Sequence, residues 1–297
     1  MSMQSTETMP THHSQLSKNT SASFNKPTSE NLTSSRNTFS LSDIKNMFGR
    51  ILPTKKCGNG TLTFKERICT KYEKMRFMKN SPDKVALASF PGSGNTWSRL
   101  LLEELTGYFT GSVYCDGKLL CTGMLGEMIT NHTSVLVAKT HLGGKGWTKV
   151  IYLFRNPWHS FLSWYTFMRF QDHTTSFKES KINIPDSSFN RCYDKWNSLW
   201  NYYVFNGNFM LHLLSYDLLK TNLESELTKV VQFLGLELDE DKLTCLVENQ
   251  LKTTSYKRSG QYDFPYSKAQ ASRIQSWIDE KRDRLEKLGI NVTSWVW

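Results

Sequence analysis

Three short stretches of the chain have residues that could bind or transfer an anionic group. Residues 92–96, GSGNT, follow a proline, and their glycines let an anion approach the backbone. Residues 139–141, KTH, place a lysine and a histidine two positions apart, on one side of an extended segment. Arg155 precedes the pair Asn156 and Pro157. The imidazole can remove a proton, and the two cations can bind or neutralise negative charge.

The glycine stretch lies between a predicted strand and a predicted helix. Residues 85–90 are mostly apolar without a helical period, which predicts a strand buried on both faces. Beyond the glycines, apolar residues recur at helical spacing, at Trp97, Leu100, Leu101 and Leu105. A strand, a glycine turn and a helix N-terminus aim free N–H groups at an anion. The stretch therefore predicts a phosphate-binding loop.

The other polar stretches also follow predicted strands. Residues 134–138 and 149–154 are apolar runs that end at Lys139 and Arg155, and a fourth run, 209–214, ends just before Ser215 and Tyr216. Helices are predicted at 157–168, 196–204, 218–234, 239–248 and 268–288, and a surface loop or lid at 171–187. Alternating strands and helices predict an α/β fold with a parallel sheet, which binds ligands at the carboxyl ends of its strands. We therefore expect the three stretches and Tyr216 to line one crevice.

Length and composition suit one large domain with an N-terminal extension. Residues 1–40 contain 17 Ser or Thr and almost no aliphatic residues, which predicts a disordered tail. Residues 41–82 form a basic lead-in segment, with short helices predicted at 42–48 and 64–78, and residues 83–297 form the domain. The net charge of +10 favours an anionic ligand. The basic residues form no stripe interleaved with aromatics, so we expect no nucleic-acid partner.

The six cysteines lack metal-ligand spacing, so no metal site is expected. Cys57 with Cys69, or Cys115 with Cys121, could pair in an oxidising compartment. No stretch reaches the roughly 18 apolar residues of a membrane helix, and the N-terminus lacks the apolar segment of a signal peptide. The sequence as written therefore predicts a cytoplasmic protein, with the Golgi lumen as the alternative if the N-terminus is incomplete.

Taken together, residues 85–277 resemble the PAPS-dependent sulfotransferases. F-P-G-S-G-N-T-W resembles their 5′-phosphosulfate loop, usually P-K-S-G-T-T-W, and K-T-H matches the tripeptide that carries the catalytic histidine in the cytosolic enzymes. R-N-P-W-H-S-F-L-S, from Arg155 to Ser163, resembles the 3′-phosphate motif R-N-P-x-D-x-x-x-S. The spellings A-S-F-P-G-S-G-N-T-W and T-G-S-V-Y resemble the sulfotransferase domains of WSC-domain-containing proteins, which act on glycans.

This resemblance implies a P-loop-like three-layer α/β domain that binds PAPS (3′-phosphoadenosine 5′-phosphosulfate) without a metal. It implies that His141 is the general base and that Lys139 neutralises the leaving oxygen. The acceptor would be a hydroxyl, on sialic acid or another glycan. Residues implied to bind the donor are the loop residues Gly92, Ser93, Gly94, Asn95 and Thr96, then Trp97 at the adenine, Arg155 and Ser163 at the 3′-phosphate, and Tyr216, Arg258 and Gly260.

One departure keeps other functions open. Gly92 stands where the cytosolic family has a lysine that contacts the leaving phosphate, so an inactive PAP-binding or scaffolding relative is one alternative. A P-loop-type small-molecule kinase is another, although Gly94 is followed by Asn95 rather than by the lysine of G-K-[ST]. Each side chain also has a structural alternative: Trp97 in the core, Arg155 in a surface ion pair, and His141 as an ordinary packed histidine.

Overall fold

Strands and helices alternate along the computed structural model, which describes residues 36–39, 62–65, 67–71, 74–79, 81–129, 131–144, 146–170, 183–249 and 265–293. The strands are β1 (Arg36–Phe39), β2 (Leu62–Lys65), β3 (Val85–Ser89), β4 (Gly111–Ser112), β5 (Ala138–Thr140), β6 (Lys149–Phe154) and β7 (Met210–Ser215). The helices are α1 (Asn95–Thr106), α2 (Gly117–Cys121), α3 (Pro157–Phe170), α4 (Asp186–Trp200), α5 (Tyr216–Thr221), α6 (Leu223–Leu234), α7 (Glu240–Glu248) and α8 (Lys268–Lys287). A π-helical turn, Asn201–Phe205, follows α4.

Five strands form one parallel sheet in the order β4-β5-β3-β6-β7. Ala88 of β3 pairs with Thr140 of β5, and Ser89 pairs with Leu153 of β6. Because these strands run in the same direction, their carboxyl ends lie at one edge of the sheet. β1 and β2 pair separately as an antiparallel ribbon. The predicted α/β fold with a central parallel sheet is confirmed.

The two faces of β3 supply two different cores. Ala86 and Ala88 face an aromatic cluster built around Trp196 and Trp200, with helices α3, α4 and α8 above it. Leu87 faces a leucine-rich cluster covered by α1, α6 and α7. Since both faces of the sheet are buried under helices, the structure has three layers, as the family resemblance implied.

Several predicted boundaries differ from the structure. The strand predicted at 134–138 is β5, which begins at Ala138 and includes Lys139 and Thr140. The helix predicted at 218–234 is two helices, because the Ser215 side chain caps α5 and Asn222 leaves helical geometry at φ −132°. The helix predicted at 196–204 begins ten residues earlier, at Asp186, so the predicted loop 171–187 overlaps it, with residues 171–182 outside the described part. The short helix predicted at 42–48 also lies outside the described residues.

The helix predicted at 64–78 is wrong. Part of this segment is β2, and the backbone N–H groups of Ile68, Cys69 and Thr70 donate to the Glu104 carboxylate at 2.8 to 3.0 Å. A buried ion pair between Arg67 and Glu103 fixes the same segment against α1. Charge-assisted hydrogen bonds to a distant helix therefore replace the bonds that a local helix would make.

A disulfide joins the segment before the sheet to α7. Cys69 is bonded to Cys245 across 176 residues of sequence, so the predicted pairing of Cys69 with Cys57 is wrong. The predicted pairing of Cys115 with Cys121 is also wrong, because Cys115 is a free thiol and Cys121 is disulfide-bonded. The patterns that suggested these pairs were short spacings, whereas the observed bond depends on the tertiary contact between α1 and α7.

The disulfide should be a main contributor to stability, because it closes a loop of most of the chain. We expect the double variant Cys69→Ser/Cys245→Ser to lose about 2 to 5 kcal/mol of unfolding free energy relative to wild type under non-reducing conditions. Denaturant titration followed by fluorescence measures this loss, and Cys115→Ser is the matched control because Cys115 is unbonded. An unchanged midpoint in the double variant would contradict the prediction.

Candidate active site

The glycine loop ends β3 and starts α1 as predicted. Gly92 and Gly94 have positive φ angles of 84° and 93°, and the N–H of Ser93 donates to the Phe90 carbonyl at 3.2 Å, closing a tight turn. Gly94 occupies the N-cap of α1 and has no side chain to bond the N–H groups of the first turn. These groups, on Asn95, Thr96 and Trp97, are therefore available to an anion at the positive end of the helix.

Of the buried polar side chains in the loop, one is hydrogen-bonded to β3 and another has an unsatisfied hydroxyl. The amide of Asn95 donates to the Leu87 carbonyl at 3.0 Å and to Ser89 Oγ at 3.1 Å, which ties the loop to β3. The hydroxyl of Ser93 is buried without a hydrogen-bond partner in the described part of the chain. A side chain at position 94 would lie 2.4 Å from the ring of Tyr216, so only glycine fits there. An oxygen-rich ligand would satisfy the Ser93 hydroxyl.

Arg155 and Ser163 lie against the same loop. Arg155 Nη1 donates to the Gly92 carbonyl at 3.0 Å, and a Cβ at position 92 would lie 3.1 Å from Ser163 Oγ and 2.9 Å from the Ser160 carbonyl. The residues predicted for the two phosphate ends of a nucleotide are therefore neighbours. A lysine at position 92 would combine a strained φ with a contact to the backbone of α3, which explains why glycine stands there.

Tyr216 connects Arg155 to the loop. The Arg155 guanidinium lies 4.6 Å from the centre of the Tyr216 ring, and its Nε is buried without a hydrogen-bond partner in the described residues. Trp97 packs edge-on to Tyr216 at 5.5 Å and is 5% exposed, within the leucine-rich core. The arginine therefore has an unsatisfied donor at the site, whereas most of the indole already packs on protein.

His141 is oriented by β3. Its Nδ1 lies 2.8 Å from the Ser89 carbonyl, and because a carbonyl only accepts, we assign the ring proton to Nδ1. The backbone N–H of His141 donates to the Tyr114 hydroxyl at 2.7 Å, and the two rings stack at 5.6 Å. Nε2 therefore carries the lone pair, in a ring held from two sides, as a general base requires.

The charges around this edge set the protonation states. Loss of water lowers the pKa of His141 to about 3, and the positive charge of Lys139 contributes to the shift. Burial and the neighbouring Arg99 lower the pKa of Lys139 to about 8, against opposing effects of Glu127 and Asp116. At pH 7 the imidazole is therefore neutral and most of the ammonium population is charged, which suits a base beside a cation.

Tyr114 is a site residue that the sequence did not reveal. Besides bonding and stacking on His141, its ring lies 5.7 Å from Lys139 Nζ. It follows β4, a two-residue strand too short to show an alternating pattern, whose Ser112 pairs with Lys139. Its motif T-G-S-V-Y was the available signal, but only the strand pairing places the ring beside His141.

The structure thus gathers most of the predicted residues at one sheet edge. Arg258 and Gly260 lie outside the described residues. The individual roles of the others stay predictions. Within the described residues, no group of three His, Cys, Asp or Glu side chains could hold a metal, and no helix is both long and apolar enough to cross a membrane. The gathered residues are Gly92, Ser93, Gly94, Asn95, Thr96, Trp97, Lys139, His141, Arg155, Ser163 and Tyr216.

Three comparisons with known proteins place this chain among similar proteins. The profile of the family described as "Sulfotransferase domain" matches residues 122–282, downstream of the glycine loop. WSCD family members are 33% identical in Drosophila pseudoobscura pseudoobscura, over 67% of this chain and 65% of theirs, and 35% identical in Aedes aegypti, over 69% and 66%. Mouse sulfotransferase SULT7A1, solved in complex with PAP, is 15% identical over 75% of this chain and 92% of its own, with a TM-score of 0.46.

The sheet order, the two helical layers and the glycine loop define a P-loop-like α/β protein. Because the profile covers more than half of its residues, the chain belongs to the sulfotransferase domain family. The family prediction is therefore confirmed. The matched region spans about 65% of the length of the curated relatives.

The close approach of α3 to the loop generates a stability prediction. Gly92→Ala should cost about 1 to 3 kcal/mol of unfolding free energy, because the new Cβ meets the Ser160 carbonyl and φ is positive. Gly235→Ala is the control, since Gly235 has a similar φ of 72° but nothing within 4 Å of its added Cβ. Thermal denaturation should show the larger loss at position 92. Equal losses of stability in the two variants would mean that α3 moves to accommodate the new Cβ without a free-energy penalty.

Proposed function

We propose that this domain transfers a sulfuryl group from PAPS to a hydroxyl acceptor. The observation that carries the proposal is the joint position of the glycine loop and His141. The loop follows Ser89, and the Ser89 carbonyl also accepts the hydrogen bond from His141. An anion held at the loop would therefore lie just beyond the end of β3, the strand whose last carbonyl orients His141.

The donor site follows from the unsatisfied groups. The N–H groups of Asn95 to Trp97 and the hydroxyl of Ser93 would hold the 5′-phosphosulfate. The Arg155 guanidinium, with its partnerless buried Nε, would hold the 3′-phosphate beside Ser163. Tyr216 closes the space between these groups through its contacts with Gly94 and Arg155. The site offers hydrogen-bond donors and positive charge, which a bisphosphorylated nucleotide needs.

In the proposed reaction, one protein group accepts a proton and another stabilises a developing negative charge. PAPS supplies a sulfuryl group whose bond to the 5′-phosphate oxygen breaks as a bond to the acceptor oxygen forms. Nε2 of neutral His141 takes the proton of the acceptor hydroxyl. The Lys139 ammonium, held near Tyr114, lowers the energy of the negative charge that develops on the leaving oxygen.

The acceptor in this proposal is a carbohydrate, sialic acid or another glycan. A cavity of about 290 Å³ lies along the segment that crosses from β5 to β6, and its lining includes Thr140 and Leu142, the two sequence neighbours of His141. Trp147 stacks on His132 at 5.3 Å within its lining, and Lys84 adds a cation that would favour an acidic sugar. The cavity is close in size to small-molecule sites. The resemblance to the domains of WSC-domain-containing proteins also favours a glycan.

The compartment in this proposal is an oxidising one, such as the Golgi lumen. The Cys69–Cys245 bond and the bonded state of Cys121 favour it over the cytoplasm, where thiols are kept reduced.

A second candidate function is PAP binding without transfer. Gly92 favours it, because the position has no room for the lysine of the cytosolic enzymes. The two candidates share the donor site and differ only in the use of His141 and its neighbouring cations.

Binding and transfer measurements test both candidates. Arg155→Ala should weaken PAP binding by about 1.5 to 3 kcal/mol in calorimetry, the usual size of a hydrogen bond to a charged group. His141→Ala should keep PAP affinity within a few fold and abolish transfer from labelled PAPS to a glycan panel. Arg282→Ala is the control for Arg155, because it is an exposed arginine on α8. Absence of PAP binding in the wild type would end the proposal, and binding without turnover would favour the second candidate.

The pH dependence of transfer follows from Lys139. Because its pKa is lowered to about 8, it loses its charge as the pH rises through that value, whereas His141 stays neutral. We expect kcat/KM for the donor to be flat between about pH 6.5 and 7.5 and to fall above about pH 8. Lys139→Arg should move this fall to higher pH, since the guanidinium keeps its charge. A wild-type rate that stays constant to pH 10 would show that the Lys139 charge is not used.

A further inference from the structure

The loop itself carries no cation for the leaving oxygen. Position 92 cannot accept a side chain without meeting α3, and the sequence from Phe90 to Thr96 contains no basic residue. Arg155 is committed to the Gly92 carbonyl and the Tyr216 ring. Lys139 is 6% exposed, and the negative charges of Glu127 and Asp116 offset part of its positive charge. A second cation is therefore needed near the loop.

Lys195, on α4, is connected through one aromatic ring to the residue that leads into the loop. Its Nζ is 5.9 Å from the centre of the Trp164 ring, and Trp164 packs edge-on to Phe90 at 5.1 Å. Phe90 is the residue between the end of β3 and Pro91. The ammonium thus lies on the face of the sheet that carries the aromatic cluster, and α4 rather than the loop positions it.

The same ammonium acts on His141. Its positive charge contributes to the lowered pKa of the His141 imidazole, and partial burial lowers the pKa of Lys195 itself. Among the described residues, no carboxylate forms an ion pair with Lys195. A half-buried cation without a counterion is costly unless an anion joins it. Lys195 therefore lies one aromatic ring away from the residue that precedes the loop, its charge acts on His141, and no described carboxylate pairs with it.

We propose that Lys195 is a catalytic residue whose ammonium contacts the oxygen bridging sulfur and the 5′-phosphate. This inference rests on the proposed sulfuryl transfer. As that sulfur–oxygen bond breaks, its electron pair stays on the phosphate oxygen of PAP, and the Lys195 ammonium stabilises this charge. The new bond forms between sulfur and the acceptor oxygen, whose proton passes to His141. Lys195 thus takes the role that a lysine at position 92 has in the cytosolic enzymes.

Kinetics of matched variants test this assignment. Lys195→Ala should lower kcat by about 10²- to 10³-fold, as for other groups that stabilise developing charge, and leave PAP affinity within about threefold. Lys195→Arg should recover part of the rate, because it restores the positive charge. Arg191→Ala is the control, since Arg191 is an exposed cation one turn earlier on α4. An unchanged kcat, or a loss confined to donor affinity, would overturn the proposal.

A second measurement does not depend on turnover. Because Lys195 and His141 repel when both are charged, NMR titration of the imidazole should show a higher pKa in Lys195→Ala than in wild type. An unchanged pKa would show that the ammonium does not face His141, and would overturn the assignment. A wild type that neither binds PAP nor transfers sulfate would instead contradict the proposed function. A wild type that transfers while Lys195→Ala keeps full kcat would contradict only the role of Lys195.

Discussion

The pairing register of β3 with its two neighbours is the constraint on which the site depends. Ala88 pairs with Thr140, so the next residue of β5, His141, lies beside Ser89 and can bond its carbonyl. Ser89 pairs with Leu153, which places Arg155 two positions beyond that level, near the loop. If β3 slipped by two residues against its neighbours, each side chain would stay on its own face of the sheet. The loop would then be displaced by about 7 Å from both the imidazole and the guanidinium. The apolar cores on both faces fix this register.

Helix α1 links the anion loop to the charge of Lys139. Its N-terminus supplies the free N–H groups, and about one turn later Arg99 is fully buried in an ion pair with Glu127 while it donates to Thr110 Oγ1 at 2.8 Å. Arg99 lowers the pKa of Lys139, and Glu127 opposes that effect. Removing one partner of such a buried pair leaves an uncompensated charge. The same packing that holds α1 in place therefore also sets the protonation state of a site residue.

Local patterns in the sequence were sufficient to predict some parts of the fold and of the site, but not others. The apolar run of β3, the glycines and the helical period of α1 are local signals, so the loop could be predicted with its bounds. Tyr114 could not, because it follows a two-residue strand whose position depends on pairing with β5. Two further features join segments more than 30 residues apart. They are the Cys69–Cys245 bond and the hydrogen bonds from the backbone of Ile68 to Thr70 to the Glu104 carboxylate. Such contacts are decided by tertiary packing, which a spacing rule does not contain.

The low pKa of His141 has a consequence for the order of events. In the free protein the imidazole is a weak base, because it is desolvated and lies in the field of Lys139 and Lys195. A donor with negatively charged phosphate and sulfate groups would offset that field, and nearby anions stabilise the protonated form of an imidazole. The pKa of His141 would then rise toward its ordinary range only with the donor in place. In the proposed transfer, the base strength of His141 is therefore coupled to donor binding, and an acceptor hydroxyl that arrived first would meet a histidine poorly able to take its proton.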